Sequence, residues 1–536
     1  MHISFWISLA PKRKDHGSMS LKKTVLATLT AVVTGVSALG VATTVAHAQS
    51  APQITWEDCP VQVDEPNAQC GRVEVPMYHS DPGGEKISVG FVKVPAEGQS
   101  RGALFGNPGG PGGDGYSYFG AANAGFDWPQ EIRNEWDRVA VQPRGLAGST
   151  PVNCPEPTNI DPVSLYTRSG AVIRDACEAG TPGYTASITT ENTAEDWEWV
   201  RRALGEEKIS IMGLSYGTFL GSMYATKYPE HTDKVVLDSG MNPDHAWSGV
   251  LDSQKQGYIS ALHDFFGWVA DNNETYGLGD TPLAAYQAWS NTIVAETGTN
   301  PTVAPPPAQV GDVPPALLSS GQAGADVLTA TAPAQVQLQN LFNMATRPGS
   351  NQATSPTLSL TRQLIPSPAD WPYLASVING SEPIPSMEYT EEMMELATTS
   401  LMMQSLQLCN ENQVAADPLD IPEYVWSNYV VGDIFTAPPL AFSSGAACSG
   451  AGPVTTPPTL NGAGLEHRPL QIQSTGDPQT PFQHSGRMHE LMGTHFVTVH
   501  GPGHGHVGLG NEAVDQAVVE YLRSGSAEVT DLPGLR

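Results

Sequence analysis

Three residues in this chain sit in surroundings that suit chemistry. Ser215 lies in Gly213-Leu214-Ser215-Tyr216-Gly217, Asp477 in Thr475-Gly476-Asp477-Pro478-Gln479-Thr480-Pro481, and His504 in His500-Gly501-Pro502-Gly503-His504-Gly505-His506. A serine hydroxyl is a weak nucleophile until a base takes its proton, and the base needs an acid to orient it. Serine, acid and histidine in that chain order point to acyl transfer. A fourth feature is Asn107-Pro108-Gly109-Gly110-Pro111-Gly112-Gly113-Asp114-Gly115. Its glycines let backbone N–H groups approach a substrate carbonyl closely. The expected oxyanion donors are the N–H groups of Gly110 and Tyr216, and losing one such donor costs about 2.7–4 kcal/mol of transition-state stabilisation.

Each role has a rival nearby. His500 reads as the end of a strand and His506 as the start of the next helix, which leaves His504, between two glycines, free to bend toward Ser215. A histidine- and glycine-rich loop could instead hold zinc, but no third and fourth ligand stands at a suitable spacing. For the acid, Asp238 closes the run Val235-Val236-Leu237-Asp238 and competes with Asp477.

The elements that position these residues alternate. Lys208-Ile209-Ser210-Ile211-Met212 reads as a strand, and Thr218 to Ala225 carries apolar residues at helical spacing. Ser215 between them occupies a nucleophile elbow, at a helix N-terminus that favours negative charge. Pro469 to Ser474 and His495 to Val499 read as two further strands, each running into a loop that carries Asp477 or His504. Acid and base, 27 residues apart, then reach the same sheet edge, where open α/β sheets place their sites. The fold class is α/β: an α/β-hydrolase fold, a mostly parallel sheet flanked by helices, with a large and mainly helical cap insertion. The expected division is residues 1–48 as a removed signal peptide, 49–244 as the first part of the core, 245–464 as the cap, and 465–536 as its C-terminal part. Ile54 to Val94 reads as an N-terminal β segment, and Asn192 to Leu204 as an amphipathic helix. The tail after Gly525 reads as loosely ordered.

The chain has 536 residues, 40% hydrophobic and 15% charged, with a net charge of −29. That length holds one large domain with an insertion. Lys22-Lys23, an apolar run from Thr24 to about Val45 and Ala46-His47-Ala48 form a secretion signal with a small-x-small cleavage site. Its removal makes the chain more acidic still. Such a surface repels nucleic acid and predicts no anionic polymer as substrate. No later stretch is long and apolar enough to cross a membrane, so no stable membrane insertion is expected. Six cysteines remain: Cys59, Cys70, Cys154, Cys177, Cys409 and Cys448. An even count in an exported chain predicts disulfides. Proximity favours pairing them in order, although fifteen pairings are formally open.

The motifs as a set resemble a known family. Trp56…Cys59-Pro60, Cys70-Gly71-Arg72-Val73-Glu74-Val75-Pro76, Asn107 to Gly112, Gly213 to Thr218, Gly476 to Pro481 and Gly503-His504-Gly505 look like the secreted bacterial tripeptidyl aminopeptidases, among the prolyl aminopeptidase-like α/β-hydrolases. The resemblance spans most of the mature chain. It implies a serine exopeptidase that releases short peptides, typically tripeptides, from free N-termini without metal or organic cofactor. Ser215, Asp477 and His504 take the triad roles by that match, and a peptide or small acyl group is the substrate. Three departures stand out: Gln142 where the family has Asp in Asp-Pro-Arg-Gly, Ala147 where a glycine is usual, and no late cysteine pair. Some relatives with these motifs are mainly esterases, so a secreted carboxylesterase is the alternative. An aminopeptidase must recognise a charged amine, which calls for a buried carboxylate. Glu411, beside Cys409, is the first choice, with Glu391 and Glu392 behind it.

Overall fold

A computed structural model describes residues 51–122, 125–155, 164, 168–347, 349–384 and 390–535. The expected signal peptide, residues 1–48, lies outside the described residues.

Ten strands form one sheet in the order β1-β2-β3-β5-β4-β6-β7-β8-β9-β10. In chain order they are β1 Ile54–Glu57, β2 Gln69–Pro76, β3 Lys86–Val94, β4 Ala103–Asn107, β5 Asp137–Val141, β6 Ile209–Leu214, β7 Thr232–Asp238, β8 Leu470–Gly476, β9 His495–Pro502 and β10 Asp531–Pro533. β1, β2 and β3 pair antiparallel, and β3 is antiparallel to β5. From β5 to β10 every pairing is parallel. The tail is more ordered than its sequence implied: β10 adds an edge strand by pairing with Thr498–His500.

Central strands of a parallel sheet are covered on both faces, so both sides of the pleat must be apolar. β4 and β6 are buried at every position. Successive residues supply opposite cores. Phe105, Val139, Val141, Ile211, Val235 and Leu237 face one cluster, while Leu104, Ala140, Met212 and Val236 face the other. Helices α2 (Thr190–Leu204) and α3 (Tyr216–Lys227) close the first face with Trp197, Val200, Phe219 and Leu220. Helices α1 (Gly115–Gly120) and α6 (Glu512–Ser524) close the second with Tyr118, Phe119, Val518 and Tyr521.

Between β7 and β8 the regular elements among the described residues are all helical. They include α4 (Ser248–Asp271) and α5 (Glu391–Glu411). This excursion has its own core of Phe265, Phe266, Trp289, Trp371, Leu374 and Phe435. Three disulfides, Cys59–Cys70, Cys154–Cys177 and Cys409–Cys448, pair the cysteines in chain order.

Candidate active site

Ser215 stands between β6 and α3 with φ 59° and ψ −123°. A positive φ on a residue with a side chain is strained and marks functional turns. The left-handed backbone belongs to the serine, and the flanking glycines give room. A Cβ on Gly213 would lie 2.2 Å from the Gly217 carbonyl oxygen, and one on Gly217 would lie 2.4 Å from that of Asn107. The Ser215 N–H donates to the Asp238 carbonyl at 3.0 Å, which ties the elbow to the end of β7.

Asp477 follows β8 and His504 follows β9. Their loops meet with His504 Nδ1 at 2.9 and 3.0 Å from the two Asp477 oxygens. Asp477 is buried. Burial works to raise its carboxyl, but His504 and the amides of Thr480 and Gln479 outweigh that, and the net shift is downward. An ionised carboxylate can only accept, so Nδ1 carries the proton and Nε2 is left free to act as a base. Gln479 N–H and Thr480 N–H donate to Asp477 Oδ1 at 2.8 and 2.9 Å, and Thr480 Oγ1 lies 2.8 Å from Oδ2. Thr480 was not singled out in the sequence; its place three residues past the acid was the available signal.

The rivals go elsewhere. His500 is exposed and meets Asp531 at 2.8 Å. His506 is buried, which lowers its pKa. Asp238 touches backbone: its Oδ2 accepts from His506 N–H at 2.7 Å and Val507 N–H at 2.9 Å.

The glycine loop leaves β4 and passes directly over the elbow. A Cβ on Gly109 would lie 2.8 Å from Ser215 Cβ. The Gly109 N–H is spent on Asn107 Oδ1 at 2.9 Å. Gly110 and Tyr216, the expected oxyanion donors, line one cavity of about 190 Å³ together with Ser215 and His504. Trp247, Leu251 and Phe442 give it an apolar side, and Gln254, Gln404 and Gln479 a polar one; among the described residues its lining includes no Asp, Glu, Lys or Arg.

Comparison with known proteins agrees with this architecture. The alpha/beta hydrolase fold family matches residues 105–305, and the family described as TAP-like protein matches residues 439–533. A tripeptidyl aminopeptidase of Streptomyces lividans is 28% identical over 506 residues, covering 89% of this chain and 86% of that protein. The chain has the α/β-hydrolase fold, and its C-terminal segment is similar to the TAP-like family. A carboxylesterase B of Mycobacterium tuberculosis is 26% identical over 90% of each chain. The serine protease Hip1 of the same organism is 28% identical over 260 residues, 45% of this chain and 49% of that protein.

One departure from the family pattern, Gln142, has a physical reason. Gln142 both accepts from Gly115 N–H at 2.8 Å and donates to the Ala147 carbonyl at 2.7 Å. An ionised aspartate could only accept. Ala147 N–H in turn donates to Thr399 Oγ1 at 3.0 Å, from α5.

The expected amine ligands are not brought to the cavity. Glu391 and Glu392 are exposed at the start of α5. Glu411 is buried and absent from the cavity lining. Its carboxylate accepts from Thr190 N–H, from Thr190 Oγ1 at 2.9 Å and from the Trp247 indole at 3.1 Å. Burial raises it to about 7 even so. It caps the N-terminus of α2 from within the core, away from the cavity lining.

Proposed function

We propose that the chain is an exported serine exopeptidase acting on short peptides with free N-termini. In this reading Ser215 attacks the carbonyl while His504 Nε2 accepts its proton. The oxyanion forms against the N–H groups of Gly110 and Tyr216. His504 then protonates the leaving amine, and a water activated by the same nitrogen hydrolyses the acyl-enzyme, releasing the short peptide with a free carboxylate and restoring the Ser215 hydroxyl. Residues 245–464 act as the cap that dries the cleft, and their helices supply much of its apolar wall. The carrying observation is the bond of His504 Nδ1 to both Asp477 oxygens, at a cavity that Ser215 and His504 share. Kinship with a tripeptidyl aminopeptidase over most of both chains supports the peptide substrate. Three disulfides fit an oxidising compartment.

A second reading, a carboxylesterase, is favoured by one observation: among the described residues no carboxylate lines the cavity to hold an ammonium group. The deciding experiment compares a tripeptidyl amide with a chromogenic leaving group, its N-acetylated twin and a short-chain acyl ester. Ser215→Ala is the control. Turnover of the free-amine peptide alone supports the peptidase; turnover of the ester alone replaces it with the esterase.

A further inference from the structure

We propose that Asp238 and Ser239, at the end of β7, are positioning residues that lock the loops of nucleophile, acid and base to one another. The inference rests on Ser215, Asp477 and His504 forming the triad. Its starting point is the loop of His504, where five consecutive N–H groups are held. His504 N–H donates to the Pro366 carbonyl at 2.8 Å. Gly505 N–H donates to Ser239 Oγ at 2.8 Å. Those of His506 and Val507 go to Asp238 Oδ2 at 2.7 and 2.9 Å, and that of Gly508 to Asp515 Oδ1 at 2.8 Å. A glycine-rich loop left to itself would sample many conformations. Here its amides close on fixed acceptors, three of them on the Asp238-Ser239 pair.

The same two residues reach the other loops. The Asp238 carbonyl takes the Ser215 N–H at 3.0 Å, and Ser239 N–H reaches across to the Ile472 carbonyl of β8 at 2.9 Å. Thr480 Oγ1 lies 3.2 Å from the Ser239 carbonyl oxygen and 2.8 Å from Asp477 Oδ2, sharing one proton between them. The loops that carry nucleophile, acid and base are therefore each hydrogen-bonded to this dipeptide. Ser239 is fully buried and has φ 58°, a left-handed conformation that a serine adopts only where its surroundings enforce it. Asp238 is 3% exposed, and its Oδ1 has no hydrogen-bond partner among the described residues. Keeping a buried carboxylate for the sake of two amides is costly, which is expected if the geometry of those amides matters.

The test measures kcat, KM and melting temperature on the tripeptidyl amide or the acyl ester, whichever is turned over. Asp238→Ala is expected to lower kcat about a hundredfold at nearly unchanged KM, the scale of a misplacement near 1 Å. Asp238→Asn keeps a carbonyl that can accept from both amides and is expected to recover most of that loss. Ser239→Ala and Ser239→Gly both lose the hydroxyl and should lose the same several-fold in kcat. The glycine variant should melt higher, because it alone adopts the positive φ without strain. A merely structural role would make kcat follow the melting temperature, and that result would overturn the proposal. So would near-wild-type kcat in Asp238→Ala, or an Asp238→Asn as inactive as the alanine variant, since charge would then be the requirement. If Asp238→Ala does not fold, Asp238→Asn and the Ser239 pair decide: a hundredfold loss in the former, or no loss in the latter, overturns the proposal. Ser215→Ala separates the two levels. Activity surviving in it removes the triad reading. Activity abolished in it, with the Asp238 and Ser239 variants all neutral, removes only the present inference.

Discussion

Gly109 has no room for a side chain, because a Cβ there would meet Ser215 Cβ at 2.8 Å and the Leu214 carbonyl oxygen at 2.7 Å, on a backbone with φ 95°. Gly109→Ala is expected to push the loop off the elbow and misplace Gly110. A loss of about a hundredfold or more in kcat/KM, with the far-ultraviolet circular dichroism unchanged, is the expected result. Glu411 makes a prediction of another kind. Below pH 4.5 its carboxyl is neutral whether the chain is folded or not. Between 4.5 and about 7 the unfolded chain ionises first, so folding loses ground as pH rises. Above 7 that loss is complete and amounts to about 3 kcal/mol. Glu411→Gln should flatten the decline of melting temperature between pH 5 and 7.5, and a slope equal to wild type would place the titration elsewhere.

Helix α5 holds the glycine loop from outside the sheet. Ser400 Oγ donates to the Gly112 carbonyl at 2.6 Å and Gln404 Nε2 to that of Pro111 at 2.9 Å. From the same helix Gln407 Nε2 reaches the Tyr216 hydroxyl at 2.6 Å. One element of the excursion thus grips both segments that carry the expected oxyanion donors. Gln404→Leu keeps the volume and removes the donor, and about a tenfold fall in kcat is expected in steady-state assays if loop placement matters. The other end of α5 is tied by Cys409–Cys448. Replacing both cysteines by alanine should lower stability by about 2–4 kcal/mol, read as a lower denaturation midpoint in urea.

At the scale of the molecule, the sheet edge and the excursion each supply one side of the cavity. Pro108, Ser215 and His504 come from loops of the sheet, and Val250, Leu408, Pro438 and Phe442 from the helices between β7 and β8. A space of about 190 Å³ with an apolar wall suits a small uncharged acyl side chain beside the cut bond. Substrates with a charged residue there should show raised KM, and Phe442→Ala should extend the tolerated size in a series of acyl chain lengths.

Much of this was legible along the chain because it depends on near neighbours. The strands and the elbow follow from local periodicity, and the disulfides join cysteines at most 39 residues apart. The glycines mark close approaches, although only tertiary contact revealed which atoms they admit. Asp238 and Asp477 read alike in sequence, since both end a parallel strand at the same edge. Packing of β7, β8 and β9 side by side decided that one meets the His504 ring and the other its loop amides. Glu411 was misread because its acceptor role is nonlocal: Thr190 lies 221 residues away. Sequence alone determined which residue types stand where a strand ends and a turn begins. Only the tertiary structure decided which way a buried carboxylate faces, because that depends on amides and rings delivered by distant segments rather than on any neighbour in the chain.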